Sequence, residues 1–262
     1  MTMTDLTATD QRDLTGRVVI VTGGAQGIGR SYVHAFAAAG AIPVIADLNA
    51  EAADRVQQEI AATQRRALAV ATDIADAAAV QHMADSVLER FGRIDALVNN
   101  AAIFSTLKVR PFDEIPLEEW DHVLRVNVTG AYLCVRAVAP AMRKAGWGRI
   151  INIATTSVAV GTPNYLHYVT SKSALFGMTN ALARELGKSG ITVNCIVPGP
   201  TLTEVPRESF TKVNQAQIAA IQCIPRGETP DDIVGLALFL ASPAAGFITG
   251  QSIAVNGGLT LG

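Results

Sequence analysis

Tyr168 and Lys172 lie four residues apart in a stretch with a helical pattern. This spacing places the two side chains on one face of a helix, one turn apart. A cation next to a phenol favours the phenolate and lowers the pKa of the tyrosine. The pair therefore has the composition of a general acid and base with an ammonium that tunes it. The alternative is an ordinary surface pair of tyrosine and lysine, and the rest of the chain decides between the two.

A glycine-rich turn follows the first strand pattern of the chain. The β-branched run from Arg17 to Thr22 predicts a buried strand, and a helical pattern extends from Arg30 to Ala39. The glycines between them, Gly23, Gly24, Gly27 and Gly29, allow a tight turn and a close approach of the backbone to a phosphate, while the helix N-terminus offers free N–H groups. This unit predicts a dinucleotide site, and the alternative is a plain tight turn.

The second predicted strand ends at Asp47, 20 residues after Gly27. An acidic side chain at this place accepts hydrogen bonds from the adenosine ribose. It would repel a 2′-phosphate by roughly 4 kcal/mol at a separation of about 4 Å and an effective dielectric constant of about 20. Asp47 therefore predicts NAD as the cofactor in preference to NADP. The alternative role is the N-cap of the next helix, and one aspartate can serve both purposes.

Short apolar strand patterns alternate with helical patterns along most of the chain. This order predicts an α/β fold, a Rossmann-type doubly wound parallel sheet of about seven strands in a three-layer α/β/α arrangement. We expect residues 14–262 to form a single Rossmann-fold catalytic domain and residues 1–13 to form a loose N-terminal tail. Residues 204–226 have a weaker pattern after a strand end and are a candidate substrate lid.

Two long helices are predicted, at Pro116–Ala145 and Asn164–Lys188. Asn127 lies in the middle of the first, where asparagine is mildly unfavourable. With Gly130 just after it, we expect a local kink or a close approach of another element. The alternative for Asn127 is a polar residue that faces solvent.

The composition excludes several classes of protein. The chain of 262 residues carries a formal net charge of -2 with no long run of one sign, which lacks the electrostatic footprint of a nucleic-acid-binding protein. No stretch has the roughly 18 apolar residues of a membrane span, and the N-terminus has no signal-peptide core. The three cysteines lack CxxC spacing and the four histidines lack metal-ligand spacing. We expect a cytoplasmic protein with no metal and no nucleic-acid or membrane partner.

Taken together, the motifs resemble the short-chain dehydrogenases/reductases over roughly residues 14–258. At subfamily level the chain is similar to NAD-dependent secondary-alcohol dehydrogenases of the 1-phenylethanol type. The matching motifs occur in the family's order and spacing: Thr22-Gly23 with Gly27-Ile28-Gly29, Asp73, Asn99-Asn100-Ala101, Asn127, Tyr168 with Lys172, Pro198-Gly199 with Thr203, and Ile248 to Gln251.

The resemblance implies roles for four catalytic residues. Tyr168 is the general acid and base, and Lys172 binds the nicotinamide ribose and lowers the pKa of Tyr168. Thr155, 13 residues before Tyr168, orients the substrate oxygen, and Asn127 holds a water that relays protons. Thr155 departs from the family's usual serine, and its extra methyl group narrows the pocket. The neighbouring hydroxyls of Thr156 and Ser157 are the alternatives.

The same resemblance implies a set of cofactor contacts. Asp73 and Ile74 would meet the adenine, Asn99 and Ala101 would line the adenosine-ribose side, and Thr203 would anchor the carboxamide. A second departure is Ala102, where the family usually has glycine. The expected cofactor-binding residues are Gly23, Gln26, Gly27, Ile28, Gly29, Asp47, Leu48, Asp73, Ile74, Asn100, Ala101, Tyr168, Lys172, Pro198, Gly199, Thr201 and Thr203.

Apolar side chains dominate the segments expected to line the substrate cleft: Ile103, Phe104, Leu107, Val158, Val160, Tyr165, Val205 and Phe210. They predict an apolar secondary alcohol or ketone as the substrate. The nearby cations do not require an anionic substrate: Lys108, Arg110, Arg207 and Lys212.

Two other functions stay open. One is a 3-oxoacyl thioester (acyl carrier protein) reductase, which would prefer NADPH and need a basic docking patch. The other is a dinucleotide-binding regulatory protein with vestigial activity. The resemblance also implies a homotetramer or a dimer.

Overall fold

The computed structural model describes residues 13–207 and 212–261. Within these ranges the strands are β1 Val18–Thr22, β2 Ile42–Asp47, β3 Leu68–Ala71, β4 Ala96–Asn99, β5 Gly148–Ile153, β6 Ile191–Pro198 and β7 Ser252–Val255. The α-helices are α1 Gly27–Ala38, α2 Ala50–Ala62, α3 Ala77–Phe91, α4 Leu117–Leu124, α5 Ala131–Ala145, α6 Ser157–Val160, α7 Leu166–Leu186, α8 Lys212–Ile221 and α9 Pro230–Ala241. Of these elements, the short helix α6 was not predicted.

The strands form one parallel sheet in the order β3-β2-β1-β4-β5-β6-β7. The order reverses between β1 and β4, so the chain winds outwards in both directions from the centre. In such sheets ligands bind beyond the carboxyl ends of the strands at the point of reversal. The predicted doubly wound Rossmann-type fold is confirmed as a single domain.

The central strand shows why the sheet is covered on both faces. Every residue of β1 is buried, and its side chains alternate between two apolar clusters. Val19 and Val21 pack in the cluster that includes Phe36 of α1, whereas Val18 and Ile20 pack in the cluster that includes Met142 of α5. Burial of each such side chain contributes roughly 1.5–3 kcal/mol. A continuous apolar run is therefore what a two-sided parallel sheet requires.

The predicted helix Pro116–Ala145 is interrupted. A π-helical turn at Arg125–Gly130 separates α4 from α5, and π-turns of this kind often occur at functional sites. A Cβ atom on Gly130 would lie 2.8 Å from Cδ1 of Ile74, so a larger residue would require Ile74 to shift. Asn127 is 2% exposed. The expected kink and close approach are confirmed, and the alternative that Asn127 faces solvent is wrong.

Part of the predicted tail and lid lies outside the described residues, namely residues 1–12 and 208–211. The described part of the candidate lid contains α8.

No helix within residues 13–207 and 212–261 combines the length and the apolar character needed to cross a membrane. Within the same ranges, no three side chains of His, Cys, Asp or Glu are grouped as a metal site would require.

Candidate active site

A cavity of about 930 Å³ opens at the carboxyl ends of the central strands. Its walls include Gly23 after β1, Asn100 after β4, Ala154 after β5 and Gly199 after β6. All seventeen residues expected to contact the cofactor line this cavity. Asn99 does not, because its amide is buried and donates to Oδ1 of Asn152 at 2.9 Å. The expected contact of Asn99 with the adenosine side is therefore wrong.

The glycine turn has the conformation that its composition predicts. Gly23 and Gly27 have φ angles of +63° and +56°, in the left-handed region that glycine adopts without strain. A Cβ atom on Gly29 would lie 1.9 Å from the carbonyl oxygen of Gly23. Asn100 Nδ2 donates to the carbonyl oxygens of Thr22 and Gly23 at 3.0 and 3.2 Å. The turn is thus braced from β4 and packed directly against α1.

A carboxylate already lies at the N-terminus of α1. The N–H group of Gly27 donates to Oε1 of Glu204 at 2.8 Å. Free N–H groups and the positive end of the helix dipole attract anions at this position. The carboxylate oxygen stands in for a phosphate oxygen, and this contact shows that the turn accepts an anionic group. A pyrophosphate therefore fits the residues present.

Asp47 links the glycine turn to the start of α2. Its Oδ2 accepts from the N–H group of Ala25 and its Oδ1 from that of Asn49, each at 3.0 Å. The N-cap of α2 is Asn49, whose side chain accepts from Ala52 N at 3.0 Å. The alternative that Asp47 caps this helix is therefore wrong. Each carboxylate oxygen of Asp47 keeps a second lone pair as a hydrogen-bond acceptor. The neighbouring Leu48 lies at the cavity wall with 74% of its surface exposed.

Tyr168 and Lys172 are both buried, at 7% and 3% exposed, so the alternative of a surface pair is wrong. Lys172 Nζ donates to the carbonyl oxygen of Ile153 at 2.7 Å. Burial lowers the pKa of Lys172 to about 8 and raises the pKa of Tyr168 to about 12. The groups that lower the Tyr168 pKa are a hydrogen bond with Thr155 and the charge of Arg207. The expected lowering of the Tyr168 pKa by Lys172 stays a prediction.

Three adjacent hydroxyl groups follow β5, and they have different surroundings. Thr155 lines the cavity and hydrogen-bonds to Tyr168. Ser157 Oγ accepts from Thr155 Oγ1 at 3.2 Å, so it lies one step further from the phenol. Thr156 is 2% exposed, and its Oγ1 accepts from Asn256 Nδ2 at 3.2 Å. Of the three candidates, the geometry favours Thr155.

Asn127 lies behind the cavity wall. Its Oδ1 accepts from the N–H group of Ile103 at 2.7 Å, and its Nδ2 donates to Ser171 Oγ at 3.0 Å. The amide therefore fastens the segment after β4 to α7, which carries Tyr168. Its expected water relay to Lys172 stays a prediction.

Aromatic rings surround the phenol on the substrate side. The ring of Phe104 stacks on that of Tyr168 with centroids 4.3 Å apart, and the ring of Tyr165 lies 5.7 Å from that of Phe104. The guanidinium of Arg207 lies 5.7 Å from the Phe104 ring and donates to the carbonyl oxygen of Thr201. Arg207 thus places a positive charge within an apolar wall.

Most of the expected apolar wall is in place. The cavity is lined by Ile103, Phe104, Val160, Tyr165 and Val205, with Ile218, Ile221 and Leu259 in addition. Leu107 and Val158 do not line it, since Leu107 packs in a buried cluster with Val123. Phe210 lies outside the described residues, as does the side chain of Lys212. Of the other predicted cations, Arg207 is in the wall, but Lys108 and Arg110 are not.

The fold and the cavity define the class of this protein. A doubly wound sheet, a glycine turn at a helix N-terminus and a buried tyrosine in the adjoining pocket are the parts of a dinucleotide-binding oxidoreductase.

Comparison with known proteins narrows this class. A family model described as Enoyl-(Acyl carrier protein) reductase matches residues 23–260. The D-threitol dehydrogenase of Mycolicibacterium smegmatis is 37% identical, over 95% of this chain and 94% of that protein. The 3-oxoacyl-(acyl-carrier-protein) reductase of Synechocystis is 38% identical, over 95% of this chain and 98% of that protein. A candidate NAD(P)-dependent gluconate 5-dehydrogenase from Beutenbergia cavernae, solved with NADP at low occupancy, superposes with a TM-score of 0.88 at 37% identity, over 95% and 98% of the two chains.

The chain belongs to the short-chain dehydrogenase/reductase family. It is an oxidoreductase of that family, with a nicotinamide dinucleotide site and a small-molecule substrate.

Proposed function

We propose that this protein transfers a hydride between NAD(H) and an apolar secondary alcohol or ketone. The observation that carries the proposal is the phenol of Tyr168, which is buried, hydrogen-bonded to Thr155 and stacked on Phe104. It lies in the same cavity as the glycine turn and Asp47. The cavity walls near the phenol are mainly aliphatic and aromatic, which suits an apolar substrate.

The chain's own residues supply the proton chemistry. Tyr168 takes the proton of the alcohol during oxidation and returns it during reduction. The hydroxyl of Thr155 donates to the substrate oxygen and stabilises the charge that develops there. Lys172 has three N–H donors and uses one on Ile153, so two are left for ribose hydroxyls. The nicotinamide of bound NAD would supply the acceptor for the hydride that leaves the carbinol carbon.

The remaining cofactor contacts follow the order of the strand ends. We assign Asp47 to the adenosine ribose, Asp73 and Ile74 to the adenine, and Thr203 to the carboxamide. The N–H groups at the N-terminus of α1 receive the pyrophosphate. The rest of the set lines the space between these points: Gly23, Gln26, Gly27, Ile28, Gly29, Leu48, Asn100, Ala101, Pro198, Gly199 and Thr201.

A substrate panel tests this function. Apolar secondary alcohols with aryl or alkyl substituents are offered with NAD and NADP side by side, and NADH formation is followed by absorbance. We expect turnover with NAD on several members of the panel. An absence of turnover throughout, in a protein that binds NADH, would reject the proposed substrate class.

A second candidate is favoured by the relative from Synechocystis, whose name is that of a 3-oxoacyl-(acyl-carrier-protein) reductase. This function predicts reduction of a 3-oxoacyl thioester with a preference for NADPH. The same experiment distinguishes the two candidates when a 3-oxoacyl thioester is added to the panel.

Asp47 is expected to set the cofactor preference. Since its carboxylate would repel a 2′-phosphate, Asp47→Asn should lower the ratio of kcat/KM for NAD over NADP by about 10²-fold or more. The measurement is kcat/KM for both cofactors with one alcohol. Asp54→Asn on the exposed face of α2 is the matched control and should leave the ratio unchanged. A ratio that Asp47→Asn leaves intact would contradict the assignment.

Glu204 is expected to weaken cofactor binding. Its carboxylate occupies the N–H group of Gly27 and brings a negative charge to the pyrophosphate position. Glu204→Gln removes the charge, so the Kd for NADH should fall by roughly 3–10-fold. Calorimetric titration of NADH measures this, with Glu118→Gln on α4 as the control. A weaker affinity in Glu204→Gln would show that the carboxylate supports cofactor binding.

We also propose a homotetramer or a dimer in the cytoplasm. Large apolar side chains are exposed on α4 and α5, among them Leu117 at 73% and Tyr132 at 49%, and Phe247 is fully exposed near the C-terminus. Light scattering at micromolar concentration tests the assembly, and a monomer would refute it.

A further inference from the structure

A buried carboxylate holds the loop that follows β6. Glu228, at 5% exposed, lies just before α9. Its Oε2 accepts from the N–H group of Gly199 at 3.0 Å, and its Oε1 accepts from the hydroxyl of Thr201 at 2.8 Å. Its carbonyl oxygen accepts from the N–H group of Leu202 at 2.7 Å. One residue thus fixes three positions of a loop that lines the cofactor cavity.

Two glycines lie at the contact between Glu228 and the loop. A Cβ atom on Gly199 would lie 2.5 Å from Oε2 of Glu228, and one on Gly227 would lie 2.6 Å from Cδ1 of Leu202. Both glycines allow the carboxylate and the loop to approach this closely. An ionised carboxylate has only acceptors, and both loop donors are directed at it.

The protonation state of this carboxyl group is sensitive to pH near neutrality. Burial raises the pKa of Glu228 to about 7, against the hydrogen bonds from Thr201 and Gly199 that lower it. Asp232 raises the pKa and Arg226 lowers it, and these two groups form an ion pair with each other. Tyr32 of α1 is the other titratable group in electrostatic contact with Glu228, and it is fully buried.

We propose that Glu228 is a positioning residue, whose ionised carboxylate orders the loop 198–203 for the cofactor and so makes cofactor affinity increase with pH. The proposal rests on the proposed function, since that function assigns this loop to the nicotinamide end of NAD(H). When the carboxyl group is protonated, one oxygen becomes a donor, and the bonds to Gly199 and Thr201 lose the assistance of the charge.

The effect on folding stability has the opposite sign. The folded pKa of Glu228 is raised above the ordinary value, so its contribution to folding stability decreases as pH rises from about 4.5 to about 7. A purely structural carboxylate would change cofactor affinity and stability in the same direction. Opposite trends of affinity and melting temperature therefore identify a positioning role.

The test is the Kd for NADH, measured by fluorescence titration at about pH 6 and about pH 8, together with the melting temperature. For the wild-type protein we expect Kd to be roughly fivefold lower at the higher pH, the difference between charged and neutral hydrogen bonds. Glu228→Gln keeps the shape but cannot titrate: its amide oxygen can accept from Gly199 N–H, and its NH2 group can donate to the hydroxyl oxygen of Thr201. Its Kd for NADH should therefore change less than about twofold between the two pH values. Asp231→Asn, an exposed acid three residues away, should behave as the wild type.

A second variant keeps the test decisive if Glu228→Gln does not fold. Thr201→Val removes one of the two donors, and it should weaken NADH binding at about pH 8 to near the wild-type level at about pH 6. A flat wild-type profile, or a Glu228→Gln profile equal to that of the wild type, overturns the inference on Glu228 alone. If the wild type binds no dinucleotide at either pH, the proposed function itself is overturned.

Discussion

Tyr168→Phe is expected to lower kcat/KM for alcohol oxidation by about 10²–10⁴-fold, the usual contribution of a general acid or base. The variant loses only the phenolic oxygen, so the stacking on Phe104 is kept and the fold should persist. NADH affinity should change little, because the variant keeps the ring that lines the cavity and loses only one oxygen. The measurement is steady-state kinetics on the best alcohol of the panel, together with the Kd for NADH.

The pH dependence gives an independent check on this assignment. Oxidation needs the phenolate, and burial raises the pKa of Tyr168 to about 12. The rate of oxidation should therefore increase with pH throughout the neutral range, whereas reduction, which needs the protonated phenol, should not decline there. Tyr132→Phe, on the outer face of α5, is the matched control and should retain the wild-type rate. Full activity in Tyr168→Phe would contradict a catalytic tyrosine. A variant that loses activity but keeps the full biological effect of the protein would favour the regulatory alternative.

Gly29→Ala is expected to abolish NADH binding at millimolar concentration and to destabilise the fold. The added Cβ would lie 1.9 Å from the carbonyl oxygen of Gly23, so α1 or the turn must move. Overpacking of this kind costs about 1–3 kcal/mol, and here it displaces the backbone that receives the pyrophosphate. Chemical denaturation measures the free energy of unfolding, and calorimetric titration measures the Kd for NADH.

Gly235→Ala is the matched control for this substitution. Gly235 also lies in a helix, α9, but a Cβ there would meet nothing within 4 Å. The substitution should raise the free energy of unfolding by up to about 1 kcal/mol through helix propensity, with unchanged NADH affinity. If Gly29→Ala bound NADH as tightly as Gly235→Ala, the glycine turn would not be the pyrophosphate site.

The sheet and its helices are predictable because their signals are local. The β-branched run of β1 specifies its strand within a few residues, and the strand lies within one residue of the expected bounds. The break between α4 and α5 also had a local sign in Asn127 and Gly130. Its π-helical form depended on a contact with Ile74 from another part of the chain.

Burial decides features of the site that spacing along the sequence does not specify. The spacing of Tyr168 and Lys172 predicted that they share a helix face, but not that burial would raise one pKa and lower the other. Asn99 was expected in the cavity because it follows a strand. It is instead used in a buried amide pair with Asn152.

By itself the sequence determined the strand order along the chain, the glycine turn and the helix that pairs Tyr168 with Lys172, because periodicity and turn chemistry act over a few residues. Only the tertiary structure decided which distant groups meet. Glu204 reaches Gly27 across 177 positions, and Glu228 reaches Gly199 across 29. These contacts, and the low dielectric around Tyr168, follow from how the strand ends and the segments after them pack together, which no local pattern specifies.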